Sequence, residues 1–117
     1  MGRLSTHVLD LAHGRAAAAM TVEVLRVREG ARESVAVSQT NAQGRTDQPL
    51  VSGDRLEVGT YELVFHVGAY FKALGVALSE PPFLDQVIVR VGLADADGSY
   101  HVPLLVSPYG YSTYRGT

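Results

Sequence analysis

The chain has no cysteine, no tryptophan, a single lysine at Lys72 and no surplus of either charge. Without cysteine there can be no disulfide, no thiolate metal site and no cysteine nucleophile. A formal net charge of −2 leaves nothing to neutralise a phosphate backbone, which excludes nucleic acid as the expected partner. No apolar run approaches the ~20 residues that cross a bilayer. Met1-Gly2-Arg3-Leu4 runs directly into patterned sequence without the apolar centre of a secretory signal, and the last residues are not a Ser-Lys-Leu peroxisomal address. The expectation is a soluble, cytoplasmic protein with no membrane association. Also missing are a Gly-rich phosphate loop, His-Glu-x-x-His, Gly-x-Ser-x-Gly and an EF-hand loop. The near-absence of lysine makes arginine the carrier of positive charge. A guanidinium suits planar, bidentate recognition, but the same bias accompanies GC-rich coding and by itself assigns no function.

What is present is a regular series of short runs. The 117 residues, 46% of them hydrophobic, suit one compact domain over 1–117, small enough that association with copies of itself would help cover its surface. Leu4 to Leu9, Thr21 to Arg28, Ser34 to Thr40, Val87 to Val91, Tyr100 to Val106 and Tyr109 to Arg115 read as strands separated by turn residues. Tyr61, Leu63, Phe65 and Val67 alternate with Glu62, Val64 and His66, the period-2 pattern of a strand with one well-buried face. Asp95-Ala96-Asp97-Gly98 carries a hairpin-turn signal. Ala69 to Leu74 breaks the alternation and is followed by Gly75, which predicts a two-turn helix with a glycine after its end. The expected class is all-β: a two-sheet β-sandwich of seven to eight strands with one short helix.

The chain closes on Tyr109-Gly110-Tyr111-Ser112-Thr113-Tyr114-Arg115-Gly116-Thr117. A final segment so rich in aromatic and hydrogen-bonding groups is expected to be held in a sheet or an interface rather than to fray. Two histidines are candidates for chemistry. His7 stands between Thr6 and Val8, His101 between Tyr100 and Val102, and each points opposite to its neighbours. A lone strand histidine is usually a structural donor. Two of them, with Arg45 and a Tyr-Arg tail in the same chain, shift the balance toward a site. Arg45, just after Gly44, is either a surface arginine or a guanidinium placed to grip a carbonyl or an anion. His13 is expected in a solvated loop, and His66 in a structural role. Pro103 cannot donate to a ladder, so an edge, a bulge or a strand end is expected beside His101. His7, His101 and Asp47 are of ligand type for zinc, but no close pair is offered and no metal site is expected.

Leu4-Ser5-Thr6-His7-Val8-Leu9-Asp10, Gly44-Arg45-Thr46-Asp47, Gly68-Ala69-Tyr70-Phe71, His101-Val102-Pro103-Leu104-Leu105 and the closing Tyr109 to Gly116 run together resemble the transthyretin-related 5-hydroxyisourate hydrolases across essentially the whole chain. The resemblance implies a two-sheet sandwich assembled as a homotetramer, a dimer of dimers with its sites at the dimer–dimer interface. It implies hydrolysis of 5-hydroxyisourate to 2-oxo-4-hydroxy-4-carboxy-5-ureidoimidazoline in urate breakdown. The residues it implies are His7, Arg45, His101 and Thr117 for catalysis, and His7, Arg45, Tyr114 and Arg115 for holding the substrate. No metal or organic cofactor is implied. Two departures stand out: the family usually ends in serine where this chain has Thr117, and Pro81 to Gln86 lacks the family's aromatic and glutamate spacing.

Two other readings use the same residues. A carrier would hold a small aromatic ligand in a channel between dimers without turning it over, which would not need two histidines, Arg45 and the Tyr-Arg-Gly tail together. A purely structural sandwich would use His7 and His101 as strand donors, so that replacing both would change stability and no activity.

Overall fold

The computed structural model describes residues 1–117. Nine strands form two sheets. The first holds β1 (Arg3–Asp10), β2 (Arg15–Ala16), β5 (Val51–Ser52), β8 (Ser99–Ser107) and β9 (Gly110–Thr113), in the order β2-β1-β8-β9 with β5 also on β1. The second holds β3 (Thr21–Arg28), β4 (Ala31–Gln39), β6 (Gly59–Phe65) and β7 (Val87–Leu93), in the order β4-β3-β6-β7. Two of the nine strands have two residues each, too short to leave a period in the sequence. One helix, α1 (Val67–Ala73), follows β6, and Gly75 just past it adopts φ +80°, a conformation that suits glycine.

Alternation explains which residues face inward. On β1, Leu4, Thr6, Val8 and Asp10 are buried, and on β8 so are Tyr100, Val102, Leu104 and Val106. Their neighbours Arg3, Ser5, His7, Ser99 and His101 therefore share the outer face of the first sheet. The apolar members of that set join Val22, Val24, Tyr61, Leu63, Phe65 and Phe71 in one core cluster of 21 residues between the sheets. Each fully buried side chain of this size contributes roughly 1.5–3 kcal/mol.

Three local expectations are corrected. The Asp95–Gly98 turn is real, closed by Gly98 N–H on the Asp95 carbonyl at 2.9 Å, but it joins no hairpin: β7 and β8 lie in different sheets, and the turn carries the chain from one layer to the other. The alternation from Tyr61 ends at Phe65, because Val67 is already helical, and both faces of β6 are covered: Glu62 and Val64 are as buried as Tyr61 and Leu63. Pro103 sits inside β8, directly opposite His7 of β1. The sheet tolerates it because its missing N–H faces the tail where the ladder to β9 has lapsed. There the Pro103 carbonyl accepts instead from Thr113 Oγ1 at 2.7 Å.

Candidate active site

β1 and β8 run parallel with Ser5 opposite His101 and His7 opposite Pro103. This pairing brings the two histidines, 94 positions apart by their numbers, onto one outward face. Beside them is a cavity of about 420 Å³ with no hydrophobic lining residue. Arg3, Ser5, Ser99 and His101 line it from the sheet, Arg45, Asp47 and Gln48 from a loop, and Thr117 from the tail. His7 is half-buried at its border: its ring packs beside Gly44, the residue that leads into Arg45.

The loop that brings Arg45 over β1 is built by backbone geometry. The Gly44 carbonyl accepts from Val8 N–H at 2.8 Å. Gly44 holds φ +76°, and a Cβ there would stand 2.3 Å from the Val8 carbonyl oxygen, so only glycine lets the loop lie this close. Asn41 closes the turn. Its side-chain oxygen accepts from Gln43 and Arg45 N–H at 2.9 and 3.2 Å, and its amide donates to Asp47 at 3.0 Å.

The tail supplies the opposite wall. Gly116 N–H donates to the His101 carbonyl at 2.8 Å, continuing the β8–β9 register past Pro103. A Cβ on Gly116 would stand 2.6 Å from His101 Cδ2, so the glycine backbone lies directly against the imidazole. Thr117 is thereby delivered to the cavity. Tyr114 and Arg115 take a different course. They line a second space of about 360 Å³ between β7, β8 and the tail, which shares His101 with the first. The Arg115 guanidinium stacks 4.5 Å above the Tyr100 ring and reaches the Ser99 carbonyl, while Tyr114 is exposed. Of the six site residues expected from sequence, His101, Arg45 and Thr117 line the polar cavity, His7 borders it, and Tyr114 and Arg115 stand on the far side of His101.

Burial holds the His101 imidazole below the usual histidine range, and the guanidinium charges of Arg45 and Arg3, with the neighbouring His7, push it further the same way. It is therefore neutral near pH 7, with a nitrogen lone pair available for proton transfer. Two guanidinium groups beside a neutral imidazole form a site that can hold carbonyl oxygens and take a proton from water. No three of the histidine and acidic side chains converge as a metal ligand set.

The other two histidines lie elsewhere. His13 lies exposed in its loop as expected, and its ring is also held: its Nδ1 is 2.6 Å from Asp10 Oδ2, and Asp10 also accepts from Tyr70 Oη at 2.8 Å and from the Ala12 and His13 backbone N–H groups. Burial raises the Asp10 carboxyl, but the bonds from His13 and Tyr70 outweigh it and leave it below its ordinary value. Burial and the Asp10 bond push the Tyr70 hydroxyl up to about 12. His66 stands at the start of α1, where its carbonyl accepts from Tyr70 N–H.

Sequence reasoning missed Arg3 and Ser5 as cavity residues and Asn41 as the residue that shapes the Arg45 loop. For the first two the signal was available, because both share the parity of His7 on β1.

Comparison with known proteins fixes the company this chain keeps. Residues 4–116 match the model of the HIUase/Transthyretin family. The chain is 54% identical over 117 residues to a 5-hydroxyisourate hydrolase of Pseudomonas aeruginosa, covering all of this chain and 93% of that one. Among solved structures it resembles (S)-allantoin synthase with a TM-score of 0.92 and 40% identity, covering 99% of this chain but spanning only 44% of that longer one. It resembles Klebsiella pneumoniae 5-hydroxyisourate hydrolase with a TM-score of 0.82 and 34% identity over the full length of both.

Proposed function

The chain belongs to the HIUase/Transthyretin family, and from that premise we propose that it hydrolyses 5-hydroxyisourate to 2-oxo-4-hydroxy-4-carboxy-5-ureidoimidazoline as a metal-independent cyclic amide hydrolase of urate catabolism. The observation that carries the reading is the polar cavity in which a neutral His101 stands with Arg45, bordered by His7. The relatives named for this activity support it.

The substrate is a planar, oxidised purine rich in carbonyl groups. One histidine takes a proton from water, and the hydroxide adds to a ring carbonyl carbon. Arg45 holds the oxygen on which negative charge develops. The C–N bond of the ring then breaks, the nitrogen receives the proton through His7 or His101, and the carbonyl carbon becomes a carboxylic acid, which loses its proton to solvent. Two histidines suffice for this sequence because imidazole can act as base and then as acid near neutral pH. Thr117 offers a hydroxyl at the cavity wall, and Tyr114 and Arg115 steady the ring from the neighbouring space.

The same reading includes a homotetramer, with sites completed where dimers meet, of single domains spanning 1–117. It is supported by the exposed rings of Phe83, Tyr109, Tyr111 and Tyr114, with Phe83 and Tyr109 paired at 6.1 Å. β7 and β9 are also open edges, each paired on one side only. No helix is long and apolar enough to cross a membrane, and we place the protein in the cytoplasm beside the enzymes of purine breakdown.

The test is direct. 5-Hydroxyisourate is generated from urate with urate oxidase, the protein is added with a chelator present, and decay of the intermediate's absorbance is followed. Decay faster than the spontaneous rate, insensitive to chelator, is expected. A folded protein that binds the ring without speeding its decay would overturn the reading in favour of a carrier.

A further inference from the structure

His101 has one ring nitrogen already engaged. Its Nδ1 lies 2.9 Å from Ser5 Oγ, directly across the parallel β1–β8 pair, and both residues are half-buried. On its other flank Cδ2 faces the backbone of Gly116. With Nδ1 turned to β1 and Cδ2 turned to the tail, the Nε2–Cε1 edge is the part of the ring left for the cavity.

A serine hydroxyl can donate to a bare Nδ1 or accept from a protonated one. The two cases put opposite functions at Nε2: an N–H if serine donates, a lone pair if serine accepts. The charges around the ring choose between them. Arg3 and His7 face it from β1, Arg45 and Asp47 from the loop, and Arg115 and Thr117 with its carboxylate from the tail. Asp47 is engaged by the Asn41 amide, and the first of the charges that bear on His101 is the Arg45 guanidinium, which lines the cavity from the loop. The bare nitrogen is the negative end of a neutral imidazole. The Arg45 guanidinium, across the cavity from β1, therefore favours the tautomer that aims its lone pair there.

We propose that Ser5 is a positioning residue for His101: its hydroxyl accepts the Nδ1–H, fixes the ring in one tautomer and orientation, and leaves the Nε2 lone pair facing the cavity as the base that deprotonates water. The inference rests on the hydrolase reading and deepens it, because it assigns the base. The balance is simple. Water gives its proton to Nε2, and the resulting imidazolium keeps its Nδ1–H on Ser5. The Nε2 proton then passes to the departing ring nitrogen as the C–N bond breaks, which restores the starting tautomer. Serine suits the position because its hydroxyl, having accepted one proton, can still turn its own toward the cavity. Alanine keeps the strand and loses the acceptor, and threonine keeps both.

The experiment has one readout independent of turnover. In ¹⁵N-histidine-labelled protein, two-bond nitrogen–proton correlations above the His101 pKa identify which ring nitrogen carries the proton, in the unaltered protein, Ser5→Ala and Ser5→Thr. Protonated Nδ1 is expected in the unaltered protein and in Ser5→Thr, and a mixture of tautomers in Ser5→Ala. Turnover of Ser5→Ala should fall on the order of 10- to 100-fold in kcat with KM little changed, as for a displaced catalytic group, and Ser5→Thr should restore it. A bare Nδ1 in the unaltered protein overturns the proposal, as does Ser5→Ala with unchanged tautomer and kcat. If the unaltered protein fails to speed hydrolysis, the hydrolase reading fails, while the tautomer still decides what Ser5 does to His101.

Discussion

The outer faces of the two sheets treat charge in opposite ways. On the second sheet Glu62 is 5% exposed and clasped between Arg32 from β4 and Arg90 from β7, at 2.7 and 2.8 Å. Beside it on the same face, Ser34 donates to Glu23. The Arg90 bond, with that of Arg32, holds the Glu62 carboxyl below its ordinary value against the opposing effect of burial. On the first sheet, Arg3 reaches only the Ser99 hydroxyl, at 3.3 Å. Neither Arg3 nor Arg45 has a carboxylate partner, although Asp47 lines the same cavity. Paired charges fasten strands together and are finished with. Cations left unpaired beside a neutral histidine still have their charge to offer, and what they can receive is an oxygen that becomes negative during a reaction.

The sharpest way to break this contrast is to remove a histidine. His101→Ala or His7→Ala should lower turnover roughly 100-fold or more with the melting temperature little changed, if each ring moves a proton. Normal turnover in either variant would take that ring out of the chemistry. Next comes Gly116→Ala, whose methyl would stand 2.6 Å from His101 Cδ2 and must displace the tail. Loss of about 10- to 100-fold in kcat is expected from a shift of this kind, with circular dichroism unaltered. Substitutions at paired charges should do the reverse. Asp10→Asn should cost on the order of 2 kcal/mol in denaturant unfolding, and Glu62→Gln about 1 kcal/mol because its arginines are half exposed. Both should leave kcat as it was. Asp10 and Glu62 titrate below their ordinary values of 3.8 and 4.5. Their contribution to stability is thus complete above those values and is lost as pH falls through the lower folded ones, so an acid melt should begin below about pH 4. The finest effect belongs to Arg3→Gln. One positive charge fewer near His101 should ease its protonation, moving the acid limb of the pH–rate profile upward by a few tenths of a unit at most, on the order of an exposed charge interaction. An unmoved limb would remove Arg3 from the electrostatics of the site.

Much of the fold was legible because it rests on parity. The runs Leu4–Leu9 and Tyr100–Val106 set His7 and His101 opposite to their strand neighbours, which the structure buries, and the helix at Ala69–Leu74 is displaced by only a residue or two. What the residues could not show is which strands are neighbours. The parallel pairing of β1 with β8 joins segments nearly at opposite ends of the chain, and the turn at Asp95–Gly98 looked like a hairpin because turn residues reveal a reversal but not its destination. Ser5 shares the readable parity of His7, but its place opposite His101 lies in a register that local patterns do not encode. His13 lies exposed in its loop as expected, and what the residues did not show is that its ring is held by Asp10, a carboxylate buried beneath Tyr70 from a helix sixty residues away.

The bond between Ser5 and His101 spans 96 positions, and that separation has a meaning for how the molecule comes into being. β3 and β4 pair across the two-residue reversal Glu29-Gly30, but β1 and β8 meet only when a loop of almost the whole chain has closed, and closing so long a loop is slow. The cavity therefore cannot exist in a half-formed molecule. During refolding, recovery of circular dichroism from the second sheet will precede recovery of turnover, and enzymatic activity becomes a clock that strikes only when β1 and β8 have found each other.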